Sequence, residues 1–328
     1  MDKVKKLVKS IPGSTWAGIA IVIFFTIAIP GYLGKINVLN ILKSTTALLV
    51  TSIGMTMAIL TGQIDMSVGG IVTIAATVAG LYLHSVAQVT AANAVIAVLI
   101  ACLIGLLFGL FNGYMIGIRN YNFWLITFGS RGIAFGLAKG ITGGNVVSGF
   151  DKVFTNISNY KVGGISLCII WAVLISLIAL YVMYRTRFGL HIYAVGDSET
   201  CAANSGINVR HVRFWVYTIA GLCCGLAAVL LLARTNSAGA TVGDGYEFNA
   251  IAAVVIGGTA MDGGKGGFKG TIFGAVFICA MKNGLQLIGL SNYWQQVLLG
   301  VVILIIILYD VINQKVRAKK SLRRVYND

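Results

Sequence analysis

The chain reads as an all-α, polytopic transmembrane protein of about ten transmembrane helices, some short or broken, with N- and C-termini in the cytoplasm. Three observations predict this. Hydrophobic residues make up 57% of the 328 residues, only 11% are charged, and mean hydropathy is +0.87, more apolar surface than a soluble domain of this length could hide. The apolar residues fall into runs of roughly 20, enough to cross a hydrocarbon core about 30 Å thick with every backbone polar group satisfied inside the segment. The net charge of +15 gathers at segment ends and tails. That placement speaks against a nucleic-acid binder, which needs a basic face, and for a membrane-sided charge bias.

In chain order the segments are 15–33, 44–62, 66–83, 94–118, 123–142, 165–184, 214–233, 248–261, 270–288 and 294–312. The first is too long for a cleaved signal, and Pro30-Gly31-Tyr32 offers no small-x-small cleavage site. Lys3 to Lys9 hold the N-terminus in the cytoplasm. Arg119, the 185–213 loop, Lys265, Lys269 and the C-terminal tail then fall on the same side, against Lys35, Lys43, Lys152 and Lys161 outside, as the positive-inside rule expects. The resulting division is a cytoplasmic tail 1–14, a membrane domain 15–313 with an external loop 143–164 and a cytoplasmic loop 185–213, and a basic cytoplasmic tail 314–328.

Two stretches are irregular. The eighth segment is short and Gly-broken, and the join of the second and third, TGQIDMSVGG from Thr61 to Gly70, sets Gln63 and Asp65 among glycines. Broken helices are tolerated at membrane depth only where they face protein or water. A constant-offset echo pairs Asp65, Gly69 and Gly70 with Asp262, Gly266 and Gly267, which is either a duplicated hairpin or a chance match of Gly-rich text.

The 185–213 loop, RTRFGLHIYAVGDSETCAANSGINVRHVR, is long, polar and basic, with Gly196 and Gly206 as punctuation and a short helical run over 198–205. Asp197 or Ser198 caps that helix, Glu199 suits its positive first turn, and Gly206 supplies a left-handed end. Ala202 and Ala203 form a small-residue face able to dock in a partner's groove. A protein that only lets solute pass has little need of such a handle, so something outside the bilayer drives this one.

No covalent chemistry is visible. Cys102, Cys168, Cys223, Cys224 and Cys279 lie in helices and Cys201 in the loop, without disulfide or metal spacing. His84, His191 and His211 lack a nucleophile or zinc partner. The run from Thr259 to Gly266 imitates a phosphate loop but has Thr where that motif needs its first Gly, Gly where it needs Ser or Thr, and no preceding strand. The chain is thus expected to be no enzyme, to hold no metal or cofactor, and to use ATP only through another polypeptide.

Charge inside a membrane costs roughly 2.5–3.5 kcal/mol at a helix centre, so Arg131, Lys139, Arg234 and Lys282 are expected to face protein or water. Arg131 is expected to pair with a carboxylate such as Asp65 or Glu247. Phe123, Trp124, Asn112, Asn283, Gln286, Trp294 and Gln295 offer stacking faces and amides that suit a polyhydroxyl ring, though each also fits helix packing or an aromatic belt.

Three long motifs in order, GMTMAILTGQIDMSVG from Gly54, IYAVGDSET from Ile192 with SGINV from Ser205, and YEFNAIAAVVIGGT from Tyr246 with GGKG from Gly263, resemble the ribose-type branch of sugar ABC-transporter permeases. NGLQLIGL from Asn283 and YWQQ from Tyr293 extend the resemblance to most of the chain. The resemblance implies a permease without its own ATPase, paired with a second copy as a homodimer or heterodimer in the bacterial inner membrane. It would receive a monosaccharide from a periplasmic or lipid-anchored binding protein and be driven by a cytoplasmic ABC ATPase docked on the 185–213 loop. Asn249 stands where such permeases often have Asp, Gln63 where they often have Gly, and Asp197-Ser198 where Gly-Asn is common. The first two bear on sugar identity, and the third on the choice of ATPase. The rival reading is an ion-coupled secondary sugar carrier using Asp65, Asp262, Glu247 or Asp310.

Overall fold

The computed structural model describes residues 22–291, 293–301, 304, 305 and 308. The tails 1–14 and 314–328, residues 15–21 of the first segment and the end of the last lie outside them. Two compact units share the chain, one of residues 33–279 and the other of 1–32 with 280–328.

The larger unit is helical: α1 Lys35–Leu60, α2 Val68–Ser85, α3 Ala91–Gly113 continued by a π turn Tyr114–Ile118, α4 Phe123–Thr142, α5 Lys152–Asn159, α6 Leu167–Arg185, α7 Arg187–Asp197, α8 Glu199–Asn204, α9 Val209–Thr235, α10 Tyr246–Ile256 and the start of α11 Phe268–Leu287. Two antiparallel two-residue ladders, β1 Val147–Ser148 with β4 Ser237–Ala238 and β2 Lys161–Val162 with β3 Ile165–Ser166, trim the loops. Nothing in the sequence had marked them.

Six helices among the described residues are long and apolar enough to cross a membrane: α1, α2, α3 with its π turn, α6, α9 and α11. The chain is a multi-pass membrane protein. α4 has the length and begins and ends where expected, but Arg131, Lys139 and four glycines dilute its apolar content. α10 is apolar yet only 11 residues long. α1 starts nine residues before the expected boundary at Ser44, because Asn37, Asn40 and Lys43 hide a helix whose polar residues serve themselves. Thr45, Thr51, Ser52 and Thr56 each donate back to a carbonyl one turn earlier, which spares the interior an unmet hydroxyl.

The larger unit is built on glycine contacts. A Cβ at Gly105 would overlap Gly221 O, and at Gly113 it would come within 2.5 Å of Phe214 O. α3 therefore lies backbone against α9, the geometry that small residues permit where lipid supplies no hydrophobic drive between helices. A Cβ at Gly70 of α2 would come within 2.9 Å of Arg131 O and 3.1 Å of Ala134 Cβ, so the bare glycine seats α4.

Where α10 begins along α2 is set by the segment before it. Ala238 packs at Gly80, near one end of α2, while Gly243 packs on Gly69 and Thr73 near the other, its N–H donating to Thr73 Oγ1 at 3.0 Å. Residues 239–245 thus run beside about 16 Å of α2 at 1.5 Å per residue, and α10 covers only the remaining depth. It is the broken helix that the shortness of its segment suggested.

In the smaller unit, Tyr32 Oη donates to Ala280 O at 2.7 Å, and Gly284 leaves room for the ring of Phe25.

Candidate functional site

A polar track crosses the larger unit from the α1–α2 connection to the start of α10. Asp65 is 1% exposed, and its Oδ1 accepts from Ser67 N at 2.9 Å and from Ser67 Oγ. Asn112 of α3 donates to Ser67 Oγ at 2.9 Å and accepts from Ser130 Oγ of α4 at 2.6 Å. Next along α4, Arg131 Nε donates to Glu247 Oε1 at 2.8 Å and its Nη2 to Asp244 Oδ1 at 3.1 Å, with its guanidinium 4.8 Å from the centre of the Phe135 ring.

Glu247 is fully buried in the first turn of α10, where the helix dipole favours a negative charge. Gly69 makes the room, since a Cβ there would overlap Glu247 Oε2 and Gly243 O. Glu247 Oε2, Asn249 Oδ1 and Gln63 Oε1 are buried acceptors without a hydrogen-bond partner among the described residues. Acceptors of that kind call for hydroxyl or water donors.

Of the expected pairs, Arg131 takes Glu247 and not Asp65. Asp244, which the sequence reading missed, is its second carboxylate and is 55% exposed. Its signal was Gly243-Asp244-Gly245 ahead of a short helix. Ser67 was legible too, as the Ser two residues after an Asp that closes a local turn. Phe123 and Trp124 stand at the start of α4, ring centres 5.9 Å apart, with Trp124 47% exposed. Asn283, Gln286, Trp294 and Gln295 belong to the smaller unit. Asn283 is half-buried, Gln286 and Trp294 are exposed, and buried Gln295 donates to Leu290 O at 3.0 Å. Arg234 donates to Ser44 Oγ at 3.0 Å and Lys139 is exposed.

The handle is more ordered than a loop with one short helix. Thr186 Oγ1 accepts from Gly189 N at 3.4 Å and starts α7, so Gly196 is the last turn of a helix and not a break. Of the two expected caps Ser198 serves, accepting from Cys201 N at 3.3 Å. Gly206 is left-handed at φ 83°, as expected. Arg213 grips Glu199 with two bonds of 3.1 and 2.6 Å, tying α8 to α9. Ala202 is 3% exposed and turned into the chain, whereas Ala203 is exposed. The small-residue face open to a partner therefore narrows to Ala203, because Ala202 is spent on seating the helix. Beneath the handle, the run from Thr259 to Gly266 is a tight turn closed by Ala260 N–H to Lys265 O at 3.0 Å. Tyr193 Oη donates to Gly266 O at 3.0 Å. Burial, then the neighbouring Tyr184, push the Tyr193 hydroxyl well above its ordinary range and keep it a donor. All six cysteines are free.

The family model described as branched-chain amino acid transport system / permease component matches residues 37–307. The chain belongs to that permease family. The permease is 39% identical over 296 residues to the ribose import permease protein of Bacillus subtilis (strain 168), covering 88% of this chain and 89% of the relative. It is 34% identical over 289 residues to the ribose import permease protein of Escherichia coli (strain K12), covering 86% and 87%. It is 32% identical over 292 residues to the D-allose transport system permease protein of the same organism, covering 89% and 88%. No solved structure matches the permease.

Proposed function

We propose that this permease is the membrane-spanning subunit of an ATP-driven importer of a monosaccharide, ribose or a close relative, and forms its translocation pathway. The observation that carries the reading is the Arg131 cluster. A fully buried Glu247, a half-exposed Asp244 and the Arg131 between them lie midway along α4, against Gly69 at the start of α2. Charge at that depth is stable only against protein or water. Beside the cluster, a Cβ at Gly129, Gly132 or Gly136 on α4 would meet nothing within 4 Å. That flank is the wall of a wet path with Arg131 and the half-exposed Asp244 at its surface, and the buried acceptors of Glu247, Asn249 and Gln63 are gate groups behind it. Asp65, Asn112 and Arg131 hold the wall. Phe123 and Trp124 are assigned to its mouth; Asn283, Gln286, Trp294 and Gln295 of the smaller unit are kept as pathway candidates on their stacking and hydrogen-bonding chemistry alone.

About ten crossings with both termini in the cytoplasm put α7 and α8 on the inner face of the bacterial inner membrane. There Asp197, Ser198, Glu199, Ala203 and Gly206 meet a cytoplasmic ABC ATPase, with Ala202 as their internal seat. A second copy completes the path, and a periplasmic or lipid-anchored binding protein delivers the sugar. The chain itself binds and splits no nucleotide. The stroke of the ATPase is carried through the handle into movement of helix groups, exchanging outward for inward access.

Uptake of labelled ribose, allose and galactose into vesicles holding the permease, its ATPase and its binding protein tests this. Uptake is expected to stop with vanadate, to persist with an ionophore, and to be absent without the ATPase. Accumulation by the chain alone, or loss to the ionophore but not to vanadate, moves the assignment to an ion-coupled carrier.

A further inference from the structure

Beneath the handle, four glycines meet without a side chain between them. Gly196 has no room for a Cβ, which would overlap the carbonyl of Leu60 at the end of α1 and come within 2.5 Å of Gly264 N. Gly264 N–H donates to that same Leu60 carbonyl at 3.0 Å. Gly263, left-handed at φ 89°, faces Gly62 N at 2.9 Å, Gly196 O at 3.0 Å and Leu60 O at 3.1 Å from the point where its Cβ would sit. Three segments far apart in the sequence thus touch backbone to backbone.

Side chains at a contact can change rotamer and absorb a small displacement, whereas close-packed backbone has no such slack and passes the displacement on. What Gly196 touches is therefore telling. Leu60 leads into the 61–66 connection and so to Asp65 and Ser67 of the polar track. Gly264 belongs to the turn that joins α10, which carries Glu247, to α11. Both breaks in the membrane helices are anchored at one glycine of the handle.

We propose that Gly196 is the point through which the handle moves both broken passages together, so that the Asp65 end and the Glu247 end of the track open in one step. This rests on the reading that residues 185–213 receive the ATPase stroke. Gly196 is a positioning residue that touches no sugar.

The test uses the complete complex in proteoliposomes and reads three quantities: ATPase co-purified with the permease, ATP hydrolysed, and sugar imported per ATP. Gly196→Ala is expected to keep the ATPase bound, since the exposed surface of α8 is unchanged, and to lower sugar imported per ATP about tenfold. An unchanged ratio in an assembled variant overturns the proposal. Hydrogen exchange on the unaltered complex serves where the variant fails to assemble. Between nucleotide-free and vanadate-trapped states, exchange over 258–267 is expected to change together with that over 199–204. A change confined to 199–204 overturns the proposal. Ala203→Arg separates the two readings: if it leaves both assembly and uptake intact, the handle itself is misassigned and the role of Gly196 falls with it.

Discussion

α3 and α4 both carry glycines along one face, and the two faces meet opposite surroundings. On α3 and its π turn, a Cβ at Gly105, Gly109, Gly113 or Gly117 would run into the backbone of α9. On α4, a Cβ at Gly129, Gly132, Gly136 or Gly140 would meet nothing within 4 Å. Helices in lipid gain no hydrophobic drive from packing on each other, so close backbone approach is what holds such a pair. The α3–α9 seam is where the larger unit holds itself together. The α4 glycines hold nothing among the described residues and leave a smooth wall beside Arg131.

The widest expected gap between the two faces comes from adding the same side chain to each. Gly109→Leu forces bulk against Tyr217 O and Thr218 O, which lie 2.8 and 2.9 Å from a Cβ there. Overpacking costs about 1–3 kcal/mol, and backbone on the far side puts this site at the upper end, so folded protein in detergent should fall sharply. Gly132→Leu, facing open space, should leave the melting transition in place and show its effect in uptake. Equal melting of the two variants would abolish the distinction.

Next in size is the ion pair beside the open face. Arg131→Met strands the buried Glu247 carboxylate, and breaking one side of a buried pair costs about 3 kcal/mol. The double variant Arg131→Met, Glu247→Gln should recover much of that loss in a thermal unfolding measurement, since no buried charge is then left unpaired and Asp244 is half-exposed to water. A double variant no more stable than the single would mean that Arg131 acts through packing on Phe135.

How far these features were legible differs between the two faces. The sequence placed both helices, α4 to the residue, and named Arg131 with Glu247 as one of two candidate partners. Glycine content alone could not tell a seam from a wall, because that depends on what lies opposite. The same limit hid Asp244, which meets Arg131 from 113 positions away, and the depth of α10, which is set by 239–245 packing along α2. At the handle, cap chemistry is local, which makes the Ser198 cap and the left-handed Gly206 legible from the residues alone. The sequence could not show that Ala202 is buried, nor that Gly196 lies against Leu60 and Gly264, contacts that only tertiary structure makes.

A smaller effect is expected at the joint between the two helices. Asn112 of α3 bridges Ser67 and Ser130, the latter on α4. Asn112→Leu removes both bonds and leaves the Ser130 hydroxyl unmet in a dry setting, while Ser67 keeps its bond to Asp65, a loss of about 1–2 kcal/mol. Asn112→Asp keeps an acceptor for Ser130 but brings a second carboxylate toward Asp65, and it should be the worse of the two in the same melting assay. The opposite order would mean that Asp65 carries a proton and can donate.

The smallest change is predicted at the handle. Glu199 and Arg213 make two good bonds, but the Glu199 side chain is 55% exposed, and water and salt screen such a pair to below about 1 kcal/mol. Glu199→Gln should therefore shift the melting transition barely, and less still at high salt. Ala202→Leu, a few ångströms along the same short helix, pushes bulk into the surface that seats α8 and should shift it by about 1–3 kcal/mol. The seat is then steric and the ion pair only orients it, the same order of importance that separates the α3 seam from the α4 wall. A larger loss from Glu199→Gln than from Ala202→Leu would reverse that ranking and make charge the element that fixes the handle.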